Sequence, residues 1–554
     1  MVPYSFRSVL LLLLLTAAMT AGVMDVEYSW IYADYTYGSL QQRESAIRSG
    51  KFIPENCVIL DVDVFQGTSE DRLYFNSGGP GSSLPKKRIF VSVPRIKPGN
   101  PASLAVLVPE DSKPPLLAPF PSWKFHFLSE DRPDCDNSII SVFRMKIDDL
   151  GRLWVVDTGR INQFELHPRS ICPPKLLIFD LKNGDKIIRS YTFPPEQYKQ
   201  DSLFTNIIVD FGDQKGRNTF AYITDTTAYK LLVYDFRNDE SWVVDQLHLY
   251  PYPHKGHFNI NGVTFGLMDG ILGLALGPPT RNNRKLYFHA FASVRESWVY
   301  TSTLQNKTLF ASGLIDGQGL FFTSPDVRPT QSSVEVMTND GILFSAMMDN
   351  SLVCWNSEDS FLPENIPVVY KSDRDFQFPS GMKIVGDRIW VVSNQLQNHF
   401  TTLVNDRSSI KYRVLVGRVD DLIRGTGCDK RFAPIRLDVD GTAEPVTLLD
   451  GNALHEWRVP VPSGVPWSYS RSSRVFEDVE GSKTGNTKRR MAVVMTGNAN
   501  VHNSKSGKGS DVGKQLHTIN YDCRMTVVDG QLVNRNCAGR TRKKTRKRKY
   551  DPFR

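Results

Sequence analysis

The 554-residue sequence contains no Cys-x-x-Cys pair, which argues against zinc ribbons and thioredoxin-like redox centres. It has no Gly-x-Ser-x-Gly elbow, no phosphate loop ending in Gly-Lys-Ser/Thr and no Gly-x-Gly-x-x-Gly unit. The Gly-rich stretch SGGPGSS lacks the Gly-Lys-Ser/Thr ending and reads as a flexible insertion. Long helical periodicity is almost absent. Beyond the first segment there is no apolar run of 18 residues, so no transmembrane helix is expected there. Net charge is also missing from most of the chain. Residues 539–554 hold nine Arg or Lys and one Asp, a surplus equal to the whole net charge of +8. The basic character therefore belongs to a tail and not to a face of the folded body.

The chain opens with Arg7, an apolar run from Val9 to Ala18 and small residues at 20–22. This pattern predicts a signal peptide over 1–22 and a secreted, extracellular product. The run is too short for a membrane anchor. In a secreted chain the seven cysteines are expected to form disulfides, with at least one thiol left over. Asn306-Lys307-Thr308 is a glycosylation sequon, which makes Asn306 a candidate acceptor.

One pattern recurs: a charged or Gly start, an apolar run, then a polar or small break. It appears as KRIFVSVPRI (88–97), GRLWVVDTGR (151–160), TFAYITDTTA (219–228), RKLYFHAFAS (284–293), GILFSAMMDN (341–350) and DRIWVVSNQL (387–396). Most copies are followed by a second apolar strand, and Asn183-Gly184 and Asn238-Asp239 supply turns. Six β units, each too small to hide its own apolar face, predict an all-β, six-bladed β-propeller over 25–430. A pair of β-sandwiches is the alternative. The repeated strand, being the most apolar, is expected to be the innermost of each blade, with its polar end at a channel mouth. Residues 431–538 form a Ser/Gly/Lys-rich extension, read as disordered, and 539–554 a basic tail. Within that extension VVMTG and MTVVDG are candidates for local pairing through Cys523 and Cys537.

Several segments resemble the Yellow and major royal jelly protein family of insects, its Yellow branch in particular. They are YSW at 28–30, FIPEN at 52–56, VPR at 93–95, GRLWVVDTGR, CPPKLLIFDL at 172–181, LVCWN at 352–356, FPSGMKI at 378–384 and WVVSNQLQ at 390–397. The resemblance covers about 25–430. It implies a six-bladed propeller and two disulfides, Cys135–Cys172 and Cys354–Cys428. Cys57, Cys523 and Cys537 fall outside that pattern, as do an inserted loop at about 68–86 and the tail. Some family members convert dopachrome, some bind serotonin and catecholamines in the central channel, and others affect cuticle pigmentation. The resemblance implies a role in cuticle or egg-covering pigmentation and melanin or catecholamine metabolism.

Aligned on their aromatic residues, the repeats place Val93-Pro94, Asp157-Thr158, Asp225-Thr226, Ala290-Phe291, Met347-Met348 and Ser393-Asn394 at equivalent strand ends. Such a ring is half polar and half apolar, which suits an aromatic amine or quinone. The candidate ligand-binding residues are Asp157, Thr158, Asp225, Thr226, Ser380, Asn394 and Leu396, the last three carried by the resemblance of the SNQL and FPSG motifs. A strand-end Asp also serves to bond turn amides. A channel calcium needs about 6–8 oxygen ligands, and this ring supplies too few, so no metal and no cofactor are expected. A dopachrome-converting enzyme, with Asp157 or Asp225 as base, is the alternative function. A non-enzymatic structural protein of the extracellular matrix is the other. His289 falls one position before the ring register, and His254-x-x-His257 reads as a pair of surface groups. The expected partners are the small aromatic ligand and, through the basic tail, acidic extracellular matrix. No nucleic acid and no membrane are expected.

Overall fold

A computed structural model describes residues 23–67, 87–110, 113–127, 133–213, 215–279, 283–311, 319–400 and 408–429, and the backbone of 472–478, 490–500, 518–528 and 531–541. The signal-peptide segment 1–22, the inserted loop 68–86 and most of the basic tail lie outside the described residues.

Six four-stranded antiparallel sheets follow one another along the chain. Blade 1 is built from Asp61–Gln66, Lys87–Ser92, Leu104–Glu110 and Lys113–Pro119. Blade 2 is Val142–Ile147, Arg152–Asp157, Lys175–Asp180 and Lys186–Thr192. Blade 3 is Phe204–Phe211, Thr219–Asp225, Lys230–Asp235 and Glu240–Asp245. Blade 4 is Ile271–Leu276, Lys285–Ala290, Ser297–Tyr300 and Phe321–Thr323. Blade 5 is Ser332–Met337, Ile342–Met347, Ser351–Asn356 and Val368–Lys371. Blade 6 takes Pro379–Val385, Arg388–Ser393 and Tyr412–Arg418 from one end of the propeller and Asp25–Trp30 from the other. That last pairing, Tyr28 against Val414 and Trp30 against Tyr412, closes the ring by joining its first and last segments in one blade. The six-bladed propeller read from the repeats is thus the observed fold.

The position of the repeated strand differs from the expectation. The first strands of consecutive blades pack against one another around the axis. The repeated segments are the second strands. Arg152–Asp157 is buried along its whole length, with a partner strand on each edge and neighbouring blades on each face. Such double coverage demands a continuous apolar run. The inner strand instead lines the channel, where it carries groups such as Arg144, Asn206 and Ser333. The strongest hydrophobic signal therefore marks the second layer.

Turn chemistry fixes the end of GRLWVVDTGR. Gly159 has φ +66°, and a Cβ there would lie 2.0 Å from the Cys172 carbonyl oxygen, so only glycine fits. The disulfides Cys135–Cys172 and Cys354–Cys428 are both formed, and Cys57 is a buried free thiol. Asn306 is exposed, and the Thr308 hydroxyl donates to its side-chain oxygen at 2.7 Å. His254 and His257 are exposed.

In the extension beyond 430, four backbone segments pair as a separate antiparallel sheet, in the order 472–478, 490–500, 518–528, 531–541. VVMTG (493–497) opposes 521–525 there, so it meets the MTVV run (525–528) only at the Val493–Met525 pair, and Cys523 and Cys537 are register partners. No helix among the described residues is long and apolar enough to cross a membrane.

Candidate functional site

The inner strands begin at the level where the second strands end: Val142 opposes Asp157, Phe204 opposes Asp225, and Pro379 opposes Ser393. A cavity of about 340 Å³ opens at this end of the axis. That is within the size range of small-molecule sites. Its wall is made by the first residues of the inner strands and by the loops that lead into them.

The cavity is mainly apolar, with phenylalanine and leucine equally represented. Phe143, Phe164, Phe291, Phe378 and Phe400 line it. Phe164 and Phe400 lie 4.8 Å apart between ring centres, and Phe291 and Phe378 6.0 Å. Phe378 is held at φ +44°, a left-handed conformation that a bulky residue adopts at a cost. Its ring is thereby fixed against the cavity.

Arg144 forms the floor. Its guanidinium donates to the carbonyls of Ser380 at 2.9 Å and Ser333 at 3.0 Å, with a longer contact to Leu272 at 3.4 Å. One side chain of blade 2 thus bonds to blades 4, 5 and 6. Burial pushes the guanidinium down to about 10, so it stays charged at neutral pH. Beneath it, Lys383 pairs with Asp61 at 2.8 Å, and Asp61 accepts the Met145 amide. The channel is closed by satisfied charges.

The half-buried Asp269 is the carboxylate in the cavity lining. Among the described residues no donor bonds its side chain. Burial alone pushes it up to about 7. His399 also lines the wall, and burial followed by the charges of Lys97 and Lys411 pushes it down to about 4. It is a neutral imidazole at physiological pH. Thr205 and Ser380 add hydroxyls.

Of the residues singled out in the sequence, Ser380 and Leu396 line this cavity. The others stand one layer behind it. Asp157 is fully buried and accepts the amides of Ile140 and Ser141, each at 2.8 Å, and of Gly159 at 3.0 Å. Asp225 accepts the Ser202 hydroxyl, the Leu203 amide at 3.0 Å and the Ala228 amide at 3.2 Å. Burial pushes its carboxyl up, and those hydrogen bonds oppose the shift. Thr226 donates to the Ile271 carbonyl at 3.0 Å. Thr158 donates to the Ser141 carbonyl at 3.1 Å and faces a smaller recess of about 230 Å³ beside the Cys135–Cys172 bridge. Asn394 donates to the Ile59 carbonyl and, at 2.8 Å, to the Ser380 hydroxyl, while its own oxygen takes the Leu396 amide. It positions the two residues that reach the cavity. From the six strand-end pairs, Phe291 lines the wall directly.

The comparisons with known proteins fit this architecture. The family model described as major royal jelly protein matches residues 140–428. Protein yellow of Drosophila erecta is 31% identical over 432 residues, 76% of this chain and 74% of its own length. The chain belongs to the Yellow and major royal jelly protein family. Protein yellow of Drosophila melanogaster shows the same identity and coverage. Dopaminechrome tautomerase of Drosophila melanogaster, also similar to this Yellow-family chain, is 29% identical over 415 residues, 73% of this chain and 84% of that one. Among solved structures, a luciferin-regenerating enzyme aligns with a TM-score of 0.34 at 10% identity, over 72% of this chain and 96% of that one. That score carries no argument.

Asp269, His399, Arg144 and Phe400 were not singled out from the sequence. Asp269 stands before Gly270 and reads as an ordinary turn. His399 ends the short helical turn Leu396–His399, which begins at the last residue of SNQL, and Phe400 caps it, so the motif pointed to the right loop and stopped one turn early.

Proposed function

We propose that this chain is a secreted member of the family that binds an aromatic amine or quinone at the channel mouth and acts in pigmentation and melanin or catecholamine metabolism. The observation that carries the reading is the cavity's make-up: five phenylalanines line it together with one carboxylate that has no hydrogen-bond donor among the described residues. The rings bury a flat aromatic body. Asp269 pairs with a ligand ammonium, and cation–π contact with the phenyl faces adds to the attraction. Ser380, Thr205 and the neutral His399 bond ring hydroxyls or a quinone oxygen. Leu396 fills the apolar side. The disulfides and the 31% identical relatives support an extracellular setting.

A second reading is turnover. It is favoured by Asp269, raised to about 7 inside the cavity, and by the similarity to dopaminechrome tautomerase. Tautomerising an aminochrome requires a base to take a ring-carbon proton and a positive or donor group near the quinone oxygen. Asp269 is the base in this reading. His399 is the donor, and Arg144 supplies positive potential from the floor.

Calorimetric titration with dopamine, serotonin and dopaminechrome, run beside the loss of dopaminechrome colour, separates the readings. Binding lost in Asp269→Asn and retained in Asp157→Asn supports the cavity. Accelerated colour loss that disappears in Asp269→Asn supports the enzyme. No binding of any of the three contradicts both and leaves a structural role.

A further inference from the structure

Behind the cavity wall, where blades 4 and 5 meet, four ionisable side chains are buried together. His289 and Glu335 are 1% exposed, Glu296 and Arg328 2%. His289 comes from the second strand of blade 4 and Glu335 from the inner strand of blade 5. Glu296 and Arg328 come from the segments flanking the outer strands of blade 4. Gly273 on the inner strand makes room for them. A Cβ at that position would meet three atoms of the His289 ring at 2.2–2.7 Å.

The hydrogen bonding around the imidazole is incomplete in a specific way. Its Nε2 lies 3.1 Å from the Ser332 carbonyl oxygen, which can only accept, so Nε2 carries a proton. Nδ1 faces Glu335 Oε2 at 3.1 Å and Glu296 Oε2 at 3.3 Å. Neither approach is a hydrogen bond. His289 Nδ1, both Glu335 oxygens and Glu296 Oε1 have no hydrogen-bond partner. Buried polar atoms are nearly always paired, and here four of them converge. Among the described residues this is the one group of three metal-type ligands whose donor atoms all lie within 4.8 Å of one another.

We propose that His289, Glu296 and Glu335 bind a divalent transition-metal cation of the zinc class, clamping blade 4 to blade 5. Zinc sits about 2.0–2.2 Å from imidazole nitrogen and carboxylate oxygen, which sets ligand–ligand edges of about 2.9 Å in an octahedron and about 3.4 Å in a tetrahedron. Both observed Nδ1–oxygen distances fall in that interval. Imidazole with carboxylates is a donor set suited to such ions. The outer partners are also present. Ser332 holds the second ring nitrogen, and Arg328 donates to Glu296 Oε2, which keeps a second lone pair for a cation. Arg328 balances one of the two carboxylates, and the cation answers the other. A proton on Nδ1 is the competing occupant. It would make ion pairs with Glu335 at 3.1 Å and Glu296 at 3.3 Å, so the experiment must distinguish it from a metal.

The test uses the full chain, stripped with a chelator and titrated with Co²⁺ and then Zn²⁺. The expected result is one Co²⁺ per chain, with visible d–d absorption that Zn²⁺ abolishes at one equivalent, and a higher unfolding temperature with either metal. Glu335→Gln removes the absorption. Should that variant fail to fold, paramagnetic broadening of a single buried histidine in the cobalt-loaded wild-type protein gives the same answer. Absence of cobalt absorption and of any metal-dependent change in unfolding temperature overturns the proposal and assigns Nδ1 to a proton. The readouts are spectroscopic and thermal, so they do not depend on ligand binding in the cavity.

Discussion

Replacing Asp157 with alanine tests whether the strand-end carboxylates are pillars or ligands. The native carboxylate takes three backbone amides, from Ile140, Ser141 and Gly159, at 2.8–3.0 Å, and is fully buried. Truncation leaves those donors without an acceptor in a place water does not reach. Each unsatisfied buried donor costs about 1–3 kcal/mol, and charge-assisted bonds lie toward the upper end. Partial relaxation of the loop re-pairs some of the amides, so a net loss of about 3–5 kcal/mol is expected. In urea titrations followed by tryptophan fluorescence, the midpoint falls with little change in slope. Dopamine affinity of the folded variant stays within about twofold, because Asp157 stands behind the wall and not in it. A variant as stable as the wild type that no longer binds the amine would refute the reasoning.

Other outcomes follow from the same structure. The Cys354–Cys428 bridge closes a 74-residue separation and ties blade 5 to the segment after blade 6; the double Cys→Ser variant should lose about 4 kcal/mol by the chain-entropy relation, read as a lower urea midpoint. Expression in a secretory host should yield a chain whose mass falls on endoglycosidase treatment, and Asn306→Gln should abolish the shift. Truncation after Thr541, which spares the strand 531–541, should weaken retention on a heparin column, and unchanged retention would remove the acidic-matrix partner.

The sequence revealed the fold better than the site, for a physical reason. Second strands such as Leu153–Asp157 are covered on both faces and both edges, so they must be apolar throughout and are easily seen to repeat. Inner strands face a channel filled with Arg144, Asp61 and Lys383, and no periodic pattern survives there. The polar strand ends drew attention because polarity after an apolar run is conspicuous. In Asp157 and Asp225 that polarity secures the entry into the inner strand beside it. The cavity's own groups come from less regular chain: Asp269 in a turn, Phe164 and Phe400 in loops that meet only after the ring has closed. The disulfide pairs came from the family resemblance and agree with the structure. Spacing alone did not select them.

The pH dependence of dopamine affinity tests the central claim most directly. With Asp269 at about 7, about 1% of it is ionised at pH 5 and about 90% at pH 8, while an alkylammonium stays charged across that range. Apparent affinity scales with the ionised fraction. Calorimetry should therefore show binding that strengthens nearly 100-fold between pH 5 and 8, with a break near pH 7. Asp269→Asn should bind weakly with a flat profile. Equal affinity at both ends of the range, unchanged by Asp269→Asn, would contradict the account.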